Sequence, residues 1–287
     1  DRKARPADAG ACFPGKFVSG EAASSTTVLA NARRIVVKVG SSLLIDPDTR
    51  TARLPWLESL AQDIALLRQS GAIVLVVSSG AVALGWRRLG IERSPRLDQR
   101  QAAAAVGQSL LMNAWAQAFA PLDIPVAQLL LTLADSQSAE RSANARATLS
   151  VLLDAGAVPV VNENDSVATE ELKLGDNDRL SAHVAELAEA DLLLLLSDVD
   201  GLYDRHPSEP DAAHIASVTS IDDAVIAMAG GAASEGVGTG GMATKLAAAR
   251  HATARGCATI IADGRADYPV RRLKEGARNT LFAPARS

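Results

Sequence analysis

Residues 34–42 read RIVVKVGSS, an aliphatic, largely β-branched run that ends in a lysine and opens into a turn of small residues. β-branched side chains fit a pleated surface, and a run without polar alternation marks a strand covered on both faces, as in a parallel sheet. The same pattern recurs at 72–77, 125–131, 157–161, 191–196 and 258–262. Between the first two runs, Leu57, Leu60, Ile64 and Leu67 repeat at helical spacing over 55–70, with Pro55 suited to a first turn and Gly71 to a stop. Further helices are expected at 98–120, 134–155, 177–190 and 242–255. Alternating strands and helices predict an α/β fold with an open, mainly parallel sheet and helices on both faces. Ligands of such sheets gather beyond the carboxyl ends of the strands.

The composition agrees. Of 287 residues, 48% are hydrophobic but only 3% aromatic, so the core is built from Ala, Val, Leu and Ile. One domain over 34–287 is expected, preceded by a flexible tail over 1–33 that lacks the apolar centre of a secretory signal. A net charge of −4 gives no electrostatic footprint for a nucleic acid. The longest aliphatic run, 192–196, falls far short of the roughly 20 residues of a membrane helix. Cys12 and Cys257 fit no metal-ligand or redox spacing, which points to a reducing, cytoplasmic setting.

The strand ends carry the chemistry. Lys38 precedes Gly40, Ser41 and Ser42, a cation beside backbone N–H groups that an oxyanion can approach. SSGA follows at 78–81, NEND at 162–165, GDND at 175–178 and SD at 197–198. Asx residues also cap helices and make turns, but two clusters at successive element ends offer groups for the ammonium and carboxylate of an amino acid. GVGTGGMATK at 236–245 is a glycine-rich loop opening a helix, with Lys245 in its first turn. It fails the P-loop pattern, because Met242 stands where the lysine belongs. Gly236, Gly238 and Gly241, with Asp263 further on, satisfy a dinucleotide fingerprint, but residues 221–229 before them read as helix rather than strand. His183, Trp56, Trp86 and Trp115 read as packing residues, and the arginine pairs at 87–88 and 271–272 as solvated surface.

KVGSS at 38–42, SSGA at 78–81, NENDSVAT at 162–169, GDND at 175–178, SDVDGLY at 197–203 and GTGGMATK at 238–245, in this order, resemble the amino acid kinase family. Within it they are most similar to the branch that phosphorylates the side-chain carboxylate of glutamate. The resemblance implies a three-layer αβα sandwich, ATP and Mg²⁺, and the first step of proline synthesis, giving γ-glutamyl phosphate. It further implies catalytic roles for Lys38, Lys245 and Asp178, the last as organiser of the two lysines. Ser79, Asn162, Asp165, Asp176 and Asn177 would bind L-glutamate. Lys38, Gly40, Ser41, Ser197, Asp198, Thr239, Gly240, Gly241, Met242, Ala243, Thr244 and Lys245 would bind ATP, while no residue is assigned to the metal. Proline as feedback inhibitor, a homo-oligomer and coupling to glutamyl phosphate reductase are also implied, whereas the C-terminal PUA domain of many such proteins is expected to be absent. Two other readings compete: another carboxylate or carbamate kinase of the family, such as acetylglutamate kinase or aspartokinase, and a catalytically silent nucleotide binder. Retention of both lysines and Asp178 argues against the second.

Overall fold

The computed structural model of the chain describes residues 24–167, 177–229 and 241–284. Ser24 caps α1 (Ser25–Asn31) by accepting from the Thr27 N–H, and Val28 and Leu29 of that helix are buried. The flexible tail drawn to residue 33 is thus corrected at its end: two apolar side chains dock 25–31 on the core, while residues 1–23 lie outside the described residues. The chain continues through β1 (Arg34–Val39), α2 (Ser41–Leu44), α3 (Leu54–Gln69), β2 (Ile73–Ser78), α4 (Ala81–Leu89), α5 (Leu97–Phe119) and β3 (Val126–Leu131). Then come α6 (Leu133–Gln137), α7 (Ala139–Asp154), β4 (Val158–Glu163), α8 (Asn177–Leu187) and β5 (Leu192–Ser197). The short β6 (Leu202–Tyr203), β7 (His214–Ile215) and β8 (Ser217–Val218) follow, with α9 (Asp223–Met228), α10 (Met242–Thr253), β9 (Ala258–Asp263), α11 (Pro269–Lys274) and β10 (Asn279–Phe282).

All six expected strands are present, with ends shifted by at most two residues. The helix expected over 134–155 is instead two. Thr132 and Asp135 form a reciprocal capping box at the start of α6, and Ser138, in extended conformation, ends that helix and caps α7. β6, β7, β8 and β10 were not foreseen, being two to four residues long and paired through tertiary contacts.

Among the described residues, eight strands form one sheet in the order β3-β4-β2-β1-β5-β9-β10-β8, its paired strands parallel except where β10 runs against β9. Side chains alternate across it. Ile35, Val37 and Val39 of β1 join a core layer with α1, α3 and α5, whereas Val36 faces the layer built with α8 and α10. Helices on both faces make the three-layer αβα arrangement. The chain goes outward from β1 through β2 to the edge strand β3 and returns to β4 between β3 and β2. It then crosses to β5 and β9 on the other side of β1, so the switch point lies between β1 and β5. No described helix is long and apolar enough to cross a membrane.

Two contacts fix the helices beside this point. Asp63 of α3 accepts the N–H groups of Val270 (2.9 Å) and Arg271 (3.1 Å), capping α11 from another element. α4 and α5 cross backbone to backbone: a Cβ at Gly85 would overlap the carbonyl of Ala103, and one at Gly107 the carbonyl of Ala81. The presence of Gly85 also weakens the local helical signal, which explains why α4 was not evident from pattern alone. Gly107→Ala is expected to destabilise the chain by about 1–3 kcal/mol through overpacking. Urea unfolding reads this directly, and an unchanged midpoint would contradict the close crossing.

Candidate active site

Lys38 sits in β1 in register with Val77 of β2 and Leu195 of β5, next to the switch point. The two-residue period of a strand places it on the face of Val36, toward α8 and α10. Those helices bring Asp178 and Lys245 in their first turns. Lys38 Nζ lies 2.6 Å from Asp178 Oδ1, and Lys245 Nζ lies 3.4 Å from Oδ2. Thr244 donates its hydroxyl to the same Oδ2 at 2.7 Å. The three charged side chains are 7%, 1% and 4% exposed, respectively for Lys38, Asp178 and Lys245.

Burial by itself would raise the Asp178 carboxyl, but the adjacent lysines and the hydroxyl outweigh it and hold the group below the ordinary carboxylate value. Burial lowers the Lys245 ammonium, and the neighbouring Lys38 adds to this, while Asp178 opposes both. Two buried cations flank one buried carboxylate, and Asp198 adds a further negative influence on Lys245. Two ammonium groups held at one spot are electrostatic preorganisation for a group whose negative charge must be stabilised.

A group of buried polar side chains adjoins this cluster through Asn177, the chain neighbour of Asp178. Asn162 and Asp165 emerge at the end of β4, both buried, and Asn162 Nδ2 donates to Gln108 Oε1 of α5 at 2.8 Å. Asn177 Nδ2 donates to Ser79 Oγ at 3.0 Å, which ties the start of α8 to the turn after β2. In that turn Gly80 takes φ +107°, a left-handed conformation that side-chain-bearing residues rarely adopt. Asp165 Oδ1, Asn177 Oδ1 and Gln108 Nε2 are buried without a hydrogen-bond partner among the described residues. Buried orphans are costly, so acceptors and a donor of this kind suit a polar ligand that supplies the missing partners. Burial first, then the like charge of Glu163, pushes the Asp165 carboxyl up to about 7, against the pull of Arg100.

The remaining expected site residues divide. Ser197 is buried at the end of β5 and donates to Asp198 Oδ1 at 3.0 Å, while Asp198 itself is exposed. Gly40 and Ser41 line the turn after β1, and Gly241, Met242, Ala243 and Thr244 form the start of α10. Asp176, Thr239 and Gly240, with the other loop glycines Gly236 and Gly238, lie outside the described residues. Asp263 of the alternative dinucleotide fingerprint is engaged by Arg265 at 2.7 Å. Gln108 and Arg100 escaped the sequence reading because they lie within an Ala-rich helix whose pattern signals only packing. His183 is not solitary, since it meets Glu186 and His251. Trp56 and Trp115 are buried as expected, with indole N–H groups donating to Gly264 O and Ser78 Oγ. Arg271 is less free than expected, stacking 4.3 Å over Tyr268.

Residues 33–263 match the amino acid kinase family. The chain is 57% identical over 254 residues to a protein named glutamate 5-kinase from Caulobacter vibrioides, covering 88% of this chain and 67% of that protein. A glutamate 5-kinase from Gluconobacter oxydans is 52% identical, covering 91% and 69%, and glutamate 5-kinase 1 from Rhizobium meliloti is 50% identical, covering 90% and 66%. The chain thus spans about two thirds of the length of these relatives. Among solved structures, an isopentenyl phosphate kinase superposes with TM-score 0.59 at 21% identity, covering 87% of this chain and all (100%) of that one. A UMP kinase from Ureaplasma parvum gives 0.58 at 17%, covering 88% and 98%, and both show the shared fold.

Asp165 generates a pH prediction. Its folded pKa of about 7 lies above an unfolded value of about 3.9, so the folded chain holds the extra proton between them. The stability this group contributes is present below about pH 4 and is lost as pH rises through about 7. Asp165→Asn is expected to flatten that loss and to stabilise the unligated chain at pH 8 by about 1–3 kcal/mol. Urea unfolding at pH 5 and pH 8 checks it, and an unaltered pH dependence would refute the assignment.

Proposed function

The chain belongs to the amino acid kinase family, and we propose that it catalyses transfer of the γ-phosphoryl group of ATP to the side-chain carboxylate of L-glutamate, forming γ-glutamyl phosphate. The observation that carries the chemistry is the buried Lys38–Asp178–Lys245 cluster at the carboxyl edge of the sheet. The relatives at 50–57% identity support the choice of glutamate.

A carboxylate with a pKa near 4.3 is ionised at pH 7, so the acceptor needs no general base. The task is to bring two anions together and to stabilise charge on the moving phosphoryl group. Lys38 and Lys245 meet those oxygens, and Asp178 positions the lysines without accepting a proton. The ammonium of the amino acid pairs with Asp165 and favours its ionised form, while Asn162, Ser79 and Asn177 offer polar contacts, with Asp176 expected alongside. The β1 turn, Ser197, Asp198 and the 239–245 stretch hold the nucleotide. Mg²⁺ accompanies ATP, where it offsets charge on phosphate oxygens. Asp178 is committed to the lysines, whereas Asp198, close enough to influence Lys245, is one carboxylate that would hold it. This reading places the chain in the cytoplasm at the first step of proline synthesis, as a homo-oligomer subject to proline inhibition and coupled to a reductase for its labile product.

ADP release is measured with ATP, Mg²⁺ and glutamate, N-acetylglutamate or aspartate, with hydroxylamine trapping acyl phosphate as hydroxamate. Hydroxamate is expected with glutamate alone, and its formation only with another acceptor would overturn the substrate. Lys245→Ala is expected to lower kcat by about 10²–10³-fold. Asp178→Asn should depress kcat far more than it alters KM, because its role is to position the lysines.

A further inference from the structure

The helices that join Asp178 to Lys245 meet a second time, away from the sheet edge. α8 presents His183 and, one turn on, Glu186, while α10 presents His251 nearly two turns beyond Lys245. Glu186 Oε2 lies 2.8 Å from His251 Nε2 and 3.6 Å from His183 Nδ1. All three donor atoms fall within 4.8 Å of one another, and the two rings tilt at 55° with centroids 5.6 Å apart. Bonds of about 2.0–2.1 Å to a tetrahedral zinc ion separate neighbouring ligand atoms by roughly 3.3 Å, so the two measured separations bracket the required one. Two imidazoles and one carboxylate suit an open site that keeps a water as fourth ligand. The side chains of His183, Glu186 and His251 are 20%, 35% and 32% exposed, which leaves a path for an ion and that water.

The surroundings fit the same reading. Arg255 Nε holds the other carboxylate oxygen, Glu186 Oε1, at 2.7 Å, turning Oε2 toward the imidazoles as an outer partner of a metal ligand does. Arg255 Nη1 also lies 3.4 Å from His251 Nδ1, a contact that would be given up when Nε2 takes a metal and Nδ1 carries the proton. The positive charge of Arg255 tempers affinity, so binding is sought at micromolar metal.

We propose that His183, Glu186 and His251 form a binding site for a divalent transition-metal ion of the zinc type, which clamps α8 to α10. Both helices are thereby held at two points, by the ion at one and by Asp178 with Thr244 and Lys245 at the other. The site is separate from the nucleotide's Mg²⁺ and independent of which acceptor the chain phosphorylates.

The test uses the full chain without nucleotide, with Co²⁺ as a coloured probe. One Co²⁺ per chain with visible ligand-field bands is expected, displaced by Zn²⁺, and Zn²⁺ alone is expected to raise the melting temperature. His183→Gln and His251→Gln should each weaken binding at least tenfold and abolish the Zn²⁺-dependent thermal shift, with melting of the metal-free protein little altered. Should either variant fail to fold, Glu186→Gln replaces it in the same two assays. Absence of a bound ion overturns the proposal, as does an ion whose bands survive in the histidine variants, since it would then reside on Cys12 or another group.

Discussion

One buried carboxylate, Asp178, lies between two buried lysines and offsets the cost of burying them. Asp178 is almost wholly excluded from solvent, and removing its charge would leave Lys38 and Lys245 facing each other across a dry space. Satisfying that constraint fixes three elements against one another: β1 supplies one cation, α10 the other, and α8 must deliver its first turn between them. Thr244 strengthens the arrangement from α10. Two fixed ammonium groups make the cluster suited to an anion, so the same interaction that organises the fold locally prepares the proposed chemistry.

The sheet supplies the position. Strand order reverses between β1 and β5, the place where such sheets take ligands, and Lys38 and Ser197 both lie toward the carboxyl ends of these strands. On the opposite face, α4 and α5 approach until only glycine fits at 85 and 107, and α5 in turn brings Gln108 to Asn162. Packing therefore reaches the buried polar group through an ordinary helix crossing. Asp165, Asn177 and Gln108 each keep a buried polar atom without a hydrogen-bond partner among the described residues, a cost that a polar guest would relieve.

Much of this could be read from the chain. The aliphatic runs predicted all six long strands because a buried parallel strand needs nothing but apolar side chains on both faces, and Lys38, Asp178 and Lys245 stood out as charges at element ends. Short elements were less legible. β10 exists through its antiparallel pairing with β9, and α4 contains a glycine that local propensity penalises but the α5 crossing requires. The end of the expected tail also misled, since two apolar residues in a polar context reveal little until a core is present to receive them.

By itself, the sequence determined the α/β class, the strand positions and the residue types at the strand ends, because these follow from local periodicity and from which side chains a turn accepts. Tertiary structure alone decided which of those ends meet. Asp178 pairs with a lysine 140 positions before it and another 67 after it, Gln108 reaches Asn162 from the interior of a helix, and His183 acquires His251 as a neighbour. The physical reason is that charge pairing and burial depend on distance in space, and helix docking on the sheet creates those distances without leaving a periodic trace along the chain.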